Sequence, residues 1–196
     1  MAVRTALAQA QPNIALVKYW GKKDIASNLP AVPSLSITLE SLWTRTRVTF
    51  DESLESDQFV LNGDHQAKGE TRVIGCLDRF RHEANTPCFA VVESENNFPT
   101  AAGLASSASG FAALVEATNA ALGLELSSKQ KSRWARRGSG SAARSIFGGF
   151  VEMPVDEYGD VSEAKPLLNA NDWPIEVVIA ITDTQAKKIG STEGMQ

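Results

Sequence analysis

Three short stretches concentrate the residue types that bind and move anionic groups. Pro99-Thr-Ala-Ala-Gly-Leu-Ala-Ser-Ser-Ala-Ser-Gly110 is built almost entirely from small residues, hydroxyls and glycine, and it runs into an apolar helical pattern. Such a loop lets backbone N–H groups approach a ligand, and the serine hydroxyls and the positive end of the helix then face an anion. Gly138-Ser-Gly-Ser-Ala-Ala-Arg-Ser145 repeats that chemistry and adds Arg144, one turn in from Ser141. Backbone amides, hydroxyls and a guanidinium can there converge on one anion. Lys18, Tyr19, Trp20, Lys22 and Lys23 crowd around Gly21, and adjacent aromatics with flanking lysines suit a pocket wall against a phosphorylated ligand. The plainer alternatives are a tightly packed helix start, a linker and a solvated strand end. Two hydroxyl-rich loops and a basic aromatic cluster together point to two phosphorylated ligands, a nucleotide and a small molecule. From the residues alone the reading stops at phosphoryl transfer.

The elements that must hold these stretches are legible as patterns. Residues 2–10 suit a first strand, and 28–33 a turn-rich connection. Ser34 to Leu39 alternates apolar and hydroxyl residues as a half-buried strand does. Thr44 to Phe50 and Asp57 to Leu61 read as further strands, the second ending in a tight Asn62-Gly63 turn. Gln66 to Glu83 carries Val73, Ile74, Leu77 and Phe80 at helical spacing, and Arg72 sits just before that face. Cys88 to Glu93 reads as a buried strand, linked by residues 94–98 to the first loop. Leu104, Ala108, Phe111, Ala112, Val115 and Ala121 mark the helix after that loop, with Gly123 as its stop. Ser127 and Ser128 suit the cap of a third helix, whose lysines and arginines read as a solvated face. Phe150 to Val155 and Pro174 to Thr182 read as strands, the latter apolar enough to be central.

Composition narrows the class. A chain of 196 residues fits one domain, or one large domain with part of a second. A net charge of -4 and a pI near 5.3 argue against nucleic acid as a partner. Cys76 and Cys88 lack metal-type spacing and read as core thiols in a reducing compartment, while His65 and His82 are the only histidines. No signal peptide or membrane-length apolar run is present, so a cytoplasmic location without membrane contact is expected. There is no P-loop, no dinucleotide-binding glycine motif and no nucleophile elbow.

The first loop resembles the phosphate-binding loop of the GHMP small-molecule kinase superfamily, with Ala105 where those kinases usually carry glycine. Pro99-Thr-Ala-Ala-Gly-Leu-Ala-Ser-Ser107 is similar to the version found in the diphosphomevalonate decarboxylase family. Asn13-Ile-Ala-Leu-Val-Lys-Tyr-Trp-Gly-Lys22, Ser94-Glu-Asn-Asn-Phe98, Gly138-Ser-Gly-Ser-Ala-Ala-Arg-Ser145 and Ser191-Thr-Glu-Gly-Met195 agree with that family in the same order. The resemblance implies an α+β fold, a two-layer GHMP-kinase-type N-terminal domain with a mixed β-sheet packed against helices. It implies an ATP/substrate-binding domain over residues 1–185, with 186–196 beginning the connection to a C-terminal subdomain.

It also implies an activity. ATP, with Mg²⁺, would phosphorylate the tertiary 3-hydroxyl of 5-diphosphomevalonate; loss of phosphate and carbon dioxide would then leave isopentenyl diphosphate. Lys18, Ser107 and Arg144 would be catalytic. Tyr19, Trp20, Gly21, Lys22, Arg72 and Thr192 would contact the substrate, with Ser139, Gly140, Ser141, Ala142, Ala143 and Arg144 around its diphosphate. Pro99, Ala102, Gly103, Leu104, Ala105, Ser106, Ser107 and Ser109 would form the ATP side, and Ser107 would also meet the metal. A homodimer is implied as well. Two departures stand out. Gly190 takes the place of a more usual serine, and the family's Asp-Ala-Gly-Pro-Asn segment, which carries its catalytic aspartate, is absent from these residues. The chain is therefore expected to be the N-terminal portion of such a protein, with a related kinase, a monophosphate decarboxylase or a non-catalytic binding module as alternatives.

Overall fold

The computed structural model describes residues 3–65, 69–100, 102–155 and 163–180. Strand β6 (Thr44–Asp51) shows how the sequence builds the first layer. Thr44, Thr46, Val48 and Phe50 point inward and are buried, while Arg45 and Arg47 point to solvent. Arg45 stacks on Trp43 with 4.2 Å between its guanidinium carbon and the ring centre. β6 pairs antiparallel with β1 (Arg4–Ala10) and with β8 (Phe89–Asn96). β7 (Gln58–Leu61) runs parallel to β8 and completes a mixed sheet in the order β1-β6-β8-β7. A parallel neighbour requires a crossover, which helix α1 (Glu70–Ala84) provides.

Helix α2 (Ser106–Ala121) lies across β1 and β6, and α3 (Ser128–Gly138) packs against it. Ten of the 16 residues of α2 are buried, several of them alanines that let neighbouring backbones come close. Phe50, Phe80, Leu77, Val48, Val92 and Val115 fill the space between the sheet and the helices. Truncating either phenylalanine would cost about 3–5 kcal/mol. Ser127 caps α3 in a full capping box: its hydroxyl accepts from the Gln130 N–H, and the Gln130 side chain accepts from the Ser127 N–H. Gly140–Ile146 follows as a 3₁₀ helix.

A second, antiparallel sheet has the order β10-β9-β5-β2, formed by Lys165–Leu168, Phe150–Met153, Ser34–Thr38 and Asn13–Val17. A short ribbon of β3 (Lys22–Asp24) and β4 (Leu29–Pro30) stands beside it. The expected two-layer α+β architecture with a mixed sheet is thus present, with a second sheet that the strand patterns did not separate.

Several expectations need correction. Residues 174–180 form no strand, and Val178 is 92% exposed. Apolar composition does not make a strand without a backbone partner, and none of the described strands offers one to this segment. Trp173, just before it, stacks on Phe150 at 5.3 Å instead. Residues 181–182 of that expected strand, and the domain boundary at 185, lie outside the described residues. The connection at 28–33 contains β4, and the link expected at 94–98 begins inside β8, whose last residue is Asn96. The charged face of α3 is not wholly solvated either, since Arg136 is only 5% exposed. No described helix is long and apolar enough to cross a membrane.

Candidate active site

The two small-residue loops, 32 positions apart in the chain, meet at one point. The Ser107 hydroxyl lies 3.2 Å from that of Ser139, which is itself 3.3 Å from the Ser141 hydroxyl. Ser107 belongs to the first turn of α2, where the free backbone N–H groups point outward. Ser139 caps the 3₁₀ helix and ends α3. Two element ends that each need an acceptor therefore open on the same space.

Local sequence explains the approach. A Cβ at Gly140 would run into the Tyr19 hydroxyl, and a Cβ at Gly138 into the Phe111 ring. Only glycine lets the second loop close over both aromatics. In the first loop Ala105, immediately before α2, sits in the left-handed region at φ 54°. Glycine adopts that geometry freely, which accounts for the glycine usual there in the kinases; alanine holds it at a cost of about 1–2 kcal/mol.

The floor is a buried guanidinium. Arg144 is 3% exposed. It donates from Nε to the Ser36 hydroxyl at 2.9 Å, from Nη1 to Ser34 at 2.6 Å and from Nη2 to Asn13 Oδ1 at 3.4 Å. Asn13 turns its other end to the loop, donating to the Ser141 carbonyl at 3.0 Å and to the Ser145 hydroxyl at 2.7 Å. Every Arg144 acceptor is neutral, and no carboxylate pairs with it among the described residues. Burial pulls the Arg144 pKa down, and Tyr19 partly opposes this. The group stays a cation, as arginine does throughout proteins. Burial pushes the Tyr19 hydroxyl up, against the nearby Arg144 and Arg136 charges. Tyr19 therefore remains a hydrogen-bond donor at neutral pH.

Asn13, Tyr19, Ser107, Ser139, Ser141 and Arg144 line a cleft of about 560 Å³. Among the described residues its wall carries six cations (Lys18, Lys22, Arg72, Arg79, Arg137 and Arg144) and no aspartate or glutamate. In a chain of net charge -4 this is a concentrated positive field. A second, mainly apolar pocket of about 140 Å³ adjoins it, lined by Phe59, Leu61, Val73, Val92, Phe111 and Leu114 with the hydroxyls of Thr44, Ser94 and Ser106. Ser107 and Arg72 line both spaces. Arg72 stands over the Phe111 ring at 5.4 Å and reaches the Gly138 carbonyl at 3.5 Å.

The structure brings together Lys18, Tyr19, Lys22, Arg72, Gly103, Ala105, Ser107, Ser139, Gly140, Ser141 and Arg144, and puts Ser106 in the adjoining pocket. It does not bring the other candidates to the cleft. Trp20 is 62% exposed, with the Lys18 ammonium 5.2 Å from its ring centre. Ser109 is fully buried and bonded to Thr44 at 2.7 Å, because its place on α2 faces the sheet. Ala142 and Ala143 are fully buried beneath the loop, while Pro99 and Ala102 are exposed and Leu104 lines neither space. Gly21 holds the turn before β3, its carbonyl accepting from the Ala31 N–H. Thr192 lies outside the described residues. Sequence reasoning missed Asn13, Ser34 and Ser36. The two serines looked like the polar face of a half-buried strand, and only tertiary structure sets them against Arg144.

Comparison with known proteins shows the family of the chain. Residues 10–164 match the family described as diphosphomevalonate decarboxylase-like N-terminal domain. The diphosphomevalonate decarboxylase of Saccharomyces cerevisiae is 42% identical over 213 residues, covering 100% of this chain and 54% of the relative. The crystal structure of mevalonate diphosphate decarboxylase from Staphylococcus aureus superposes with a TM-score of 0.86 at 45% identity, covering 99% of this chain and 59% of that one. MDDEF in complex with MVAPP, AMPPCP and magnesium superposes at 0.79 with 50% identity, over 88% of this chain and 53% of that one. The chain spans about half the length of the relatives it matches. The chain belongs to the diphosphomevalonate decarboxylase-like N-terminal domain family.

Proposed function

We propose that this chain is the ATP- and substrate-binding part of a diphosphomevalonate decarboxylase, which converts (R)-5-diphosphomevalonate to isopentenyl diphosphate through transient 3-phosphorylation. The observation that carries the reading is the Ser107–Ser139 contact, which joins two anion-binding loops over an un-neutralised Arg144. One loop serves the nucleotide phosphates and the other the diphosphate of the substrate. The adjoining apolar pocket suits a base, and Ser106 and Ser107 stand between it and the cleft.

A tertiary hydroxyl is a poor leaving group and a phosphate a good one. Transfer of the terminal phosphoryl group to the 3-oxygen prepares the departure. The C3–O bond then breaks with phosphate taking its electron pair, while the electrons of the carboxylate bond form the double bond as carbon dioxide leaves. The work of this chain is to bind, orient and balance charge. Lys18 and Arg72 offset charge near the transferring group. Arg144, Tyr19, Lys22 and the Ser139 and Ser141 hydroxyls hold the diphosphate end. Mg²⁺ usually takes one or two protein oxygens and fills its shell with phosphate oxygens and water, and the Ser107 hydroxyl fits that role. Bound there, the ion would neutralise the phosphate charge. Among the described residues no carboxylate lines the cleft to accept the hydroxyl proton.

The test supplies ATP, Mg²⁺ and diphosphomevalonate to the chain, with and without a separately produced C-terminal half of a family member. Carbon dioxide and ADP in equal amounts are expected only from the pair. Absence of both from the pair, after each half is shown to be folded, contradicts the reading. Equal affinity for mevalonate and its diphosphate would instead favour a related kinase.

A further inference from the structure

The positive wall of the cleft extends past the point where the two loops meet. Thr71, Arg72, Gly75 and Arg79 all line it, so one stripe of α1 faces the cleft for two turns. Arg79 stands seven residues beyond Arg72, about 10 Å along the helix axis. Its Nη1 is buried without a hydrogen-bond partner, and it has no carboxylate partner among the described residues. Arg137, at the end of α3, lines the same cleft and likewise lacks a carboxylate partner among the described residues. Behind it Arg136 is 5% exposed, and its Nε and Nη1 are also without partners. Buried donors left unpaired are rare and call for a reason. Crowded cations destabilise the empty fold, Asp24 only partly offsetting this at Arg136, and an anion would relieve both costs.

Gly75 adds an independent observation. It lies inside α1 with ordinary helical geometry, and a Cβ there would meet nothing within 4 Å. Neither backbone conformation nor packing in this chain requires it, yet glycine in a helix interior costs about 1 kcal/mol relative to alanine. What the missing side chain does provide is open space above the helix backbone, between Arg72 and Arg79.

We propose that this arm of the cleft, floored by Gly75 and flanked by Arg79 and Arg137, is a second subsite for a phosphate-class anion, separate from the Ser139–Arg144 loop. A ligand here shares the cleft with whatever occupies the loop. Two anions in one confined space repel, so occupancy of the arm weakens binding at the loop. The subsite therefore opposes binding at the loop, whatever reaction the rest of the cleft carries out.

Inorganic diphosphate, titrated calorimetrically into the full chain at about 0.15 M salt to suppress loose surface binding, is the probe. The two loops each offer a diphosphate site, and the arm is expected to add one more. The double variant Arg79→Gln/Arg137→Gln should lose that added site, by at least tenfold in affinity, and keep the rest. The double variant Ser139→Ala/Ser141→Ala should keep the arm. Gly75→Leu, which fills the open space and favours the helix, should remove the same site as the arginine variant with a melting temperature equal to or above that of the wild type. Diphosphate binding that neither the arginine variant nor Gly75→Leu changes overturns the proposal. Neither result depends on ATP or on turnover, so the decarboxylase reading can stand if this subsite falls, and the reverse.

Discussion

Two arginines, one partly buried and one deeply buried, are satisfied in opposite ways. Arg81, on α1, donates to both Asp57 oxygens at 2.9 Å and also pairs with Asp78. Burial pulls its pKa down, but its bonds to the two carboxylates win and the value rises. Arg144 is buried more deeply, meets only hydroxyls and an amide, and its value falls. A guanidinium with its own carboxylates ties the fold together, here fastening α1 to β8 through the Asp57 bond to the Ala90 N–H. A guanidinium held by neutral acceptors is positioned but not neutralised. Its charge is left for a ligand, at a cost to the empty fold.

The contrast can be broken from either side. Asp57→Ala strands Arg81 and removes the acceptor of Ala90. A loss of about 3–5 kcal/mol is expected in urea unfolding, with diphosphomevalonate affinity unchanged in the native fraction. Arg144→Gln should do the reverse, weakening diphosphomevalonate binding by about 2–3 kcal/mol, near a hundredfold, while stability moves by less than about 1 kcal/mol. Gly140→Ala tests whether the loop must close on Tyr19. Overpacking there should cost about 1–3 kcal/mol by thermal unfolding and weaken the same ligand. Ser127→Ala, at the far end of α3, sets the scale of a change with no part in the cleft. About 1 kcal/mol of stability should be lost in urea, with affinity unchanged.

The comparison also shows what could be read before the structure. Both loops, the Lys18–Lys22 cluster and most elements were legible because their signals are local. Ser127 and Ser128 mark a helix start, and alternation in 44–50 marks a strand. The contact between Ser107 and Ser139 was not legible, since it depends on where α2 and α3 end in space. Ser34 and Ser36 were invisible as site residues because alternating serines fit any half-buried strand. The error at 174–180 came from the same source, because apolarity promises burial but does not name a partner. Trp20 and Ser109 were placed at the site by motif membership, and their side chains turn to solvent and to the sheet.

One substitution bears on the central claim that Arg144 is kept free of carboxylates so that a ligand can use its charge. Ser34→Asp would give Arg144 the kind of partner that Arg81 already has. Diphosphomevalonate is titrated into the wild-type chain and this variant, with melting temperatures measured alongside. The expected result is affinity reduced at least tenfold, about 1.4 kcal/mol, with a melting temperature equal to or above that of the wild type. Affinity within twofold of wild type in a folded variant would contradict the account, because the charge would then not be what the ligand uses.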